Sequence, residues 1–405
     1  SWHLPWKQQK RGTENVSPAS MLMSLLTASG DDMEDTKDGI DVSGTSIIES
    51  PESEIKQLPQ NRTSTHPKLR TVSGHATKTF ALGGNREVWQ RNNVPPEAFK
   101  RGVNYFFAYS MDDDQIGAYL DGLKELCKNP ATRKKIFVAV GMEDFSNKEM
   151  VTEHIEKCLH RLGTDYVDAF FLEYVCRGDE DAADETMQWM RGEGGLVVAD
   201  GGKCGIDGPV RFVGCSTHDR CVGVNLLRRE RSATGGGGDD AFDDASPSDV
   251  ITSLTQELTS SAIDLREETE DLAAEFQNSK PCSMDLLMAR YNMAHTKAEW
   301  RLFPVAEARD VPVVAFTSTR WNSLQKGHPR WTEEPPTTAK CMQFAANHPA
   351  VQVVLNAAVD VETLSECCDE LSEDALEKMS PKEMDKWREY GELVYDESAE
   401  FETLF

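Results

Sequence analysis

The sequence predicts an α/β fold, a (β/α)8 TIM barrel with an N-terminal extension, an acidic and Gly-rich insertion and a C-terminal helical tail. Three observations carry this expectation. Eight short apolar runs succeed one another between Phe80 and Leu355, and near-continuous apolar strands belong to a sheet buried on both faces. Longer stretches with helical periodicity alternate with them, the pattern of a parallel sheet built from βα units. The length of 405 residues accommodates a barrel of about 250–300 residues plus appendages. An open doubly wound sheet shares the alternation, but eight units favour closure.

The strands are expected at Phe80-Ala81-Leu82, residues 103–109, residues 136–140, residues 167–172, residues 211–216, residues 285–291, residues 311–317 and residues 351–355. Helices are expected between them. In 147–162 the residues Val151, Ile155, Cys158, Leu159 and Leu162 share one stripe, and Gly163 comes next as a stop. Residues 115–127, 338–346 and 361–371 read the same way. Residues 1 to about 74 are rich in Ser, Thr, Pro, Asn, Gln and charge, so they bury too little to offset their ordering entropy and are expected to be disordered. Between the fifth and sixth strands, Gly235-Gly236-Gly237-Gly238-Asp239-Asp240 marks a surface insertion over about residues 231–262. The barrel is thus expected over 75–395, with 396–405 as a tail. After Ser380, Trp387, Tyr390, Leu393 and Val394 give the chain an apolar side able to pack on the barrel.

The bulk properties exclude several function classes. The net charge of −26 opposes nucleic-acid binding, which needs clustered Lys and Arg. Residues 360–405 hold 16 acidic and 4 basic side chains, a pattern that reads as a solvated acidic helical surface. No run of about 18 apolar residues is present, so no membrane-spanning helix is expected. Ten cysteines are scattered without zinc-ligand spacing, which reads as free thiols in a reducing, cytoplasmic compartment, with organelle targeting left open. No metal is expected, and the oligomeric state is left open.

Several segments, in order, resemble the aldo-keto reductases. Gly102-Val103-Asn104-Tyr105-Phe106 is similar to that superfamily's second-strand motif, and residues 159–168, LHRLGTDYVD, to the lead-in of its fourth strand. Residues 210–218, VRFVGCSTH, resemble its fifth-strand motif. Arg290-Tyr291-Asn292 with His295, Ala298 and Glu299 resembles its sixth strand and the start of the helix after it, and residues 316–321, FTSTRW, resemble a divergent bacterial branch. The resemblance implies a nicotinamide cofactor, NADP with NAD possible, and a small-molecule carbonyl substrate.

It also implies a catalytic Asp, Tyr, Lys and His, and here this chain departs from the family. The Asp position holds Phe107, the Lys position Gly141 and the His position Glu173, and Tyr109 is the nearest tyrosine. Proton delivery needs a donor beside the developing oxyanion, so Tyr109, Glu173 and His218 are the catalytic candidates. For the cofactor, the resemblance maps the carboxamide contacts onto Ser216, Thr217 and Met288, the ring-stacking aromatic onto Phe316, and the pyrophosphate contacts onto Thr317 and Arg320. The loop after the eighth strand, Asn356 to Asp360, has no basic residue for a 2′-phosphate. The strand ends place Tyr109, Glu173, Tyr174, His218, Arg290 and Asn292 at one mouth. There Glu173 pairs either with Tyr109 as an acid or with Arg290 or Tyr291 as a structural group. Two functions emerge as expectations: an oxidoreductase with altered proton delivery, or a catalytically inactive barrel (a pseudoenzyme) that binds a nucleotide or other ligand. A lyase or hydrolase at the same mouth is a third.

Overall fold

The computed structural model describes residues 69–85, 90–198, 203–232, 276, 279–370 and 378–396. The expected extension before residue 69 and nearly all of the expected insertion lie outside these residues. Eight parallel strands close in sequence order, β1 hydrogen-bonding to β8. They are β1 Phe80–Gly83, β2 Tyr105–Ala108, β3 Phe137–Met142, β4 Val167–Leu172, β5 Val210–Thr217, β6 Leu286–Arg290, β7 Val313–Phe316 and β8 Val351–Asn356.

A helix succeeds each strand: α1 Val94–Lys100, α2 Asp113–Lys128, α3 Lys148–Leu162, α4 Glu180–Arg191, α5 Arg220–Leu227, α6 Ala298–Ala308, α7 Thr338–Ala346 and α8 Val361–Glu370. Among the described residues a short helical turn at Pro130–Arg133 leads into β3, and a tail helix, α9, spans Pro381–Asp396. Local chemistry sets the helix ends. Asn147 caps α3 by accepting from the Glu149 and Met150 amides, and Gly163 ends it at φ 67°, a left-handed conformation that favours glycine. Among the described residues no helix is long and apolar enough to cross a membrane.

Side chains alternate between the barrel lumen and the helical layer, as the period of two in a strand requires. The lumen is filled by Ala81, Tyr105, Phe107, Phe137, Ala139, Ala169, Phe171, Leu286, Met288, Val314, Val353 and Leu355. The ring pairs there include Tyr105–Phe137, stacked at 4.8 Å, and Phe107–Phe171, edge-on at 5.9 Å. Leu69 belongs to the same cluster and plugs the floor. It precedes a tight reversal held by an antiparallel Arg70–Ala76 bridge, so residues 69–74, which composition assigns to the extension, form part of the barrel's base.

A buried ion cluster ties the lower ends of the strands together. Asp168, fully buried, accepts from Arg133 Nη1 at 2.8 Å, from the Val138 amide at 2.9 Å and from Arg211. Removing water from these charges is compensated because each carboxylate oxygen is taken up by donors.

Candidate functional site at the barrel mouth

The alternation that packs the lumen also decides which residues reach the mouth. Gly141 has the parity of Phe137 and Ala139, Glu173 that of Ala169 and Phe171, and Tyr109 that of Tyr105 and Phe107; all three therefore face inward. By the same count Ser216, His218, Met288, Arg290 and Phe316 face inward, whereas Thr217 and Thr317 face the helical layer. Phe107 fills the lumen below Tyr109, so no carboxylate stands at that level of β2.

Glu173 is the unusual group. It is only 4% exposed, and its Oε1 is buried without a hydrogen-bond partner among the described residues. Burial, reinforced by the charge of Glu143, pushes its carboxyl well above the usual range, which favours the protonated form. Gly141 makes this placement possible: a Cβ there would lie 1.8 Å from Glu173 Oε1 and 2.6 Å from its Cγ. The carboxyl occupies the space a side chain on β3 would otherwise fill. His154, from α3, buttresses the same point, its Nε2 lying 2.9 Å from the Gly141 carbonyl oxygen.

Around this acid stands an aromatic wall. Tyr174 stacks on His218 at 5.4 Å, and His218 meets Phe316 edge-on at 5.0 Å. Burial, with the charges of Arg290 and His295, lowers His218 to about 4, so its imidazole is neutral at physiological pH. Tyr174 is 43% exposed at φ 53°. Its phenol is held protonated first by burial and then by Glu173, Glu143 and Tyr109.

The remaining expected residues are engaged in local bonds or packing. Ser216 is buried, and its Oγ accepts from the Tyr174 amide at 3.3 Å. Thr217 donates to the Val175 carbonyl at 2.8 Å, a bond that fixes the loop after β4. Met288 lies in the lumen. Thr317 donates to its own neighbour's carbonyl, that of Phe316, at 2.8 Å. Arg320 is 5% exposed and donates to the Val394 carbonyl at 2.7 Å. Asp219 caps α5 through the Cys221 amide at 2.8 Å, and Asp360 heads α8 by accepting from Thr363 N and Oγ1 at 2.9 and 2.8 Å.

Tyr291 does not take up the alternative of pairing with Glu173. Tyr291 donates instead to Glu299 at 2.6 Å, and Arg388 from α9 completes that pair at 2.9 Å. Asn292 leaves the mouth group as well: its amide donates to the Thr317 carbonyl at 2.8 Å and its Oδ1 accepts from the Ala294 and His295 amides. Both are structural links between β6, β7 and the tail helix.

Glu143 is not among the residues singled out from the sequence, and the roles of Gly141 and of the α9 contact with Arg320 come from the fold. Glu143 lies two residues beyond Gly141, so strand parity already pointed to it. The role of Gly141 was signalled by a glycine inside a strand, which marks a close approach of another group. The seating of α9 on Arg320 had no sequence signal beyond the apolar side of that helix.

No protein-family model and no curated protein matches the sequence. Solved structures do match in three dimensions. An aldo-keto reductase from Bacillus halodurans in its holo form superposes with a TM-score of 0.51 at 13% identity, covering 80% of this chain and 95% of that one. The fold is that of the aldo-keto reductases. An aldo-keto reductase from Klebsiella pneumoniae in complex with NADPH gives a TM-score of 0.51 at 16% identity, covering 80% of this chain and 94% of that one. A Klebsiella pneumoniae structure in complex with NADP and acetate gives 0.50 at 14% identity, covering 80% and 95%.

Proposed function

We propose that the mouth is the site of an aldo-keto-reductase-like oxidoreductase that interconverts a small-molecule carbonyl and its alcohol with a nicotinamide cofactor, using Glu173 as the proton donor. The observation that supports this most directly is the buried Glu173 carboxyl, its Oε1 without a hydrogen-bond partner among the described residues and its proton affinity raised by burial, held where the strand ends converge. When bound, the nicotinamide supplies or takes up the hydride.

This chain's residues fit that group at its nicotinamide end. Phe316 faces inward as a platform for the ring, and Ser216 offers a hydroxyl to the carboxamide; Thr217 stands beside it. Met288 gives the carboxamide no hydrogen bond. Thr317 and Arg320 are the partners for the pyrophosphate. Asp360 sets a carboxylate at the start of α8, and a like charge repels a 2′-phosphate, which favours NAD(H) over NADP(H).

In the reduction Glu173 passes its proton to the carbonyl oxygen, and in the oxidation it takes that proton back. Tyr109 and the neutral His218 flank the carbonyl as hydrogen-bonding groups. Glu143, exposed at the end of β3, connects Glu173 with solvent for reprotonation.

The test is oxidation of NADH and NADPH across a panel of aldehydes and ketones. Glu173→Gln is expected to lower turnover by about 10²- to 10⁴-fold with cofactor affinity retained, and Tyr109→Phe to lower it less. Unchanged rates in both variants remove them from the mechanism. A second reading, a ligand-binding barrel without turnover, is favoured by the engagement of Arg320 with α9. Quenching of tryptophan fluorescence by cofactor, with no turnover on any carbonyl, is its signature.

A further inference from the structure

The tail helix meets the barrel at Arg320. The last four carbonyls of an α-helix have no partner within it, and its C-terminal end carries the negative pole of the helix dipole. In α9 one of these, Val394, accepts from Arg320 Nη1 at 2.7 Å. The same guanidinium lies 5.9 Å from the centre of the Tyr395 ring, which in turn meets His295 edge-on at 5.6 Å.

The helix is seated closely. A Cβ at Gly391 would lie 1.9 Å from the Met293 carbonyl oxygen, so only glycine lets α9 approach the loop after β6. Tyr390 donates to the Leu324 carbonyl at 2.6 Å, and its ring packs on Trp331 at 5.1 Å.

An arginine that satisfies the last carbonyls of a helix usually serves as a plain cap. Here the cation comes from a different element, the loop after β7, and that loop is strained. Thr317, Arg320, Trp321 and Asn322 take φ values of 54°, 50°, 51° and 65°. Non-glycine residues in this region cluster at ligand clamps and switch segments.

We infer that the end of α9 is an internal stand-in for a pyrophosphate: its negative pole holds Arg320, and a dinucleotide must lift the helix end to reach that side chain. The inference rests on the oxidoreductase reading, because it takes Arg320 as the pyrophosphate partner. Apparent affinity is then the intrinsic affinity multiplied by the fraction of molecules with α9 lifted. The tail thereby sets the cofactor concentration at which the mouth fills.

The full chain, Gly391→Val and Tyr390→Phe are each titrated with NADH, NADPH and inorganic pyrophosphate. Tryptophan quenching gives the dissociation constants, and amide hydrogen exchange over residues 390–396 reports the helix end. Ligand is expected to speed exchange there in the unmodified chain. Gly391→Val, which cannot seat α9, is expected to bind about tenfold tighter or more. Tyr390→Phe loses one hydrogen bond without a change of volume, keeps the test open if the glycine variant misfolds, and is expected to shift affinity the same way by a smaller factor. Equal affinities in all three proteins, or binding without faster exchange at 390–396, overturn the stand-in while leaving the oxidoreductase reading intact. Failure of all three to bind any of the ligands overturns both.

Discussion

Glu173→Gln has a thermodynamic signature that does not depend on finding a substrate. In the unfolded chain this carboxyl titrates near 4.5, whereas in the fold burial and the Glu143 charge raise it well above that value. Between the two values the folded protein holds one more proton than the unfolded chain, so raising the pH favours unfolding. The contribution of the buried neutral acid is complete below the unfolded value and is lost as pH rises through the folded one. The rate of loss is about 1.4 kcal/mol per pH unit. Glutamine has the same shape and does not titrate, so the stability of the variant minus that of the parent should climb by about 1.4 kcal/mol per unit from about pH 5 until the folded carboxyl ionises. Urea denaturation at about pH 5, 6 and 7, with the m-value held in common, measures this difference. Parallel stability curves would refute the argument, because they would mean that Glu173 is ionised or paired.

Two further outcomes concern the floor and the rim of the barrel. Asp168→Asn leaves two arginines facing a neutral amide in a dry site, and breaking a buried pair of this kind costs about 3–5 kcal/mol, readable in the urea midpoint; a loss under about 1 kcal/mol would place the cluster among weak surface pairs. Asp360→Asn keeps the cap on α8, since Asn and Asp cap equally well, but removes the charge, so NADPH affinity should rise relative to NADH; an unaltered ratio of dissociation constants would take Asp360 out of cofactor choice.

Much of this architecture is legible in the residues alone. Residues 167–172 are read as a strand and form β4 with those bounds, because an apolar run between a helix stop at Gly163 and a polar mouth leaves little freedom. The second strand is read as 103–109 but hydrogen-bonds only over Tyr105–Ala108. Asn104 instead turns its side chain to the floor, accepting from the Lys78 amide at 2.7 Å and donating to the Ala76 carbonyl at 2.8 Å, while Tyr109 projects past the ladder. The candidate acids, His218 and Phe316 are legible because strand parity sends them inward, whereas Tyr174 has the opposite parity and stacks on His218 from a left-handed backbone. The partners of Tyr291 and Arg320 are not, since they are set by packing of α6 and α9 against the mouth, and residues nearly 90 positions apart, such as Glu299 and Arg388, leave no local trace of their meeting.

The exchange of bulk between Gly141 and Glu173 imposes an order on change. A side chain entering at 141 meets the end of the Glu173 arm from the neighbouring strand, so a lysine on β3 is accommodated most simply once residue 173 is shortened. Taken in the reverse order, the intermediate would force one of the two arms out into water. A substitution at position 141 is thus also a change in where the Glu173 acid can sit.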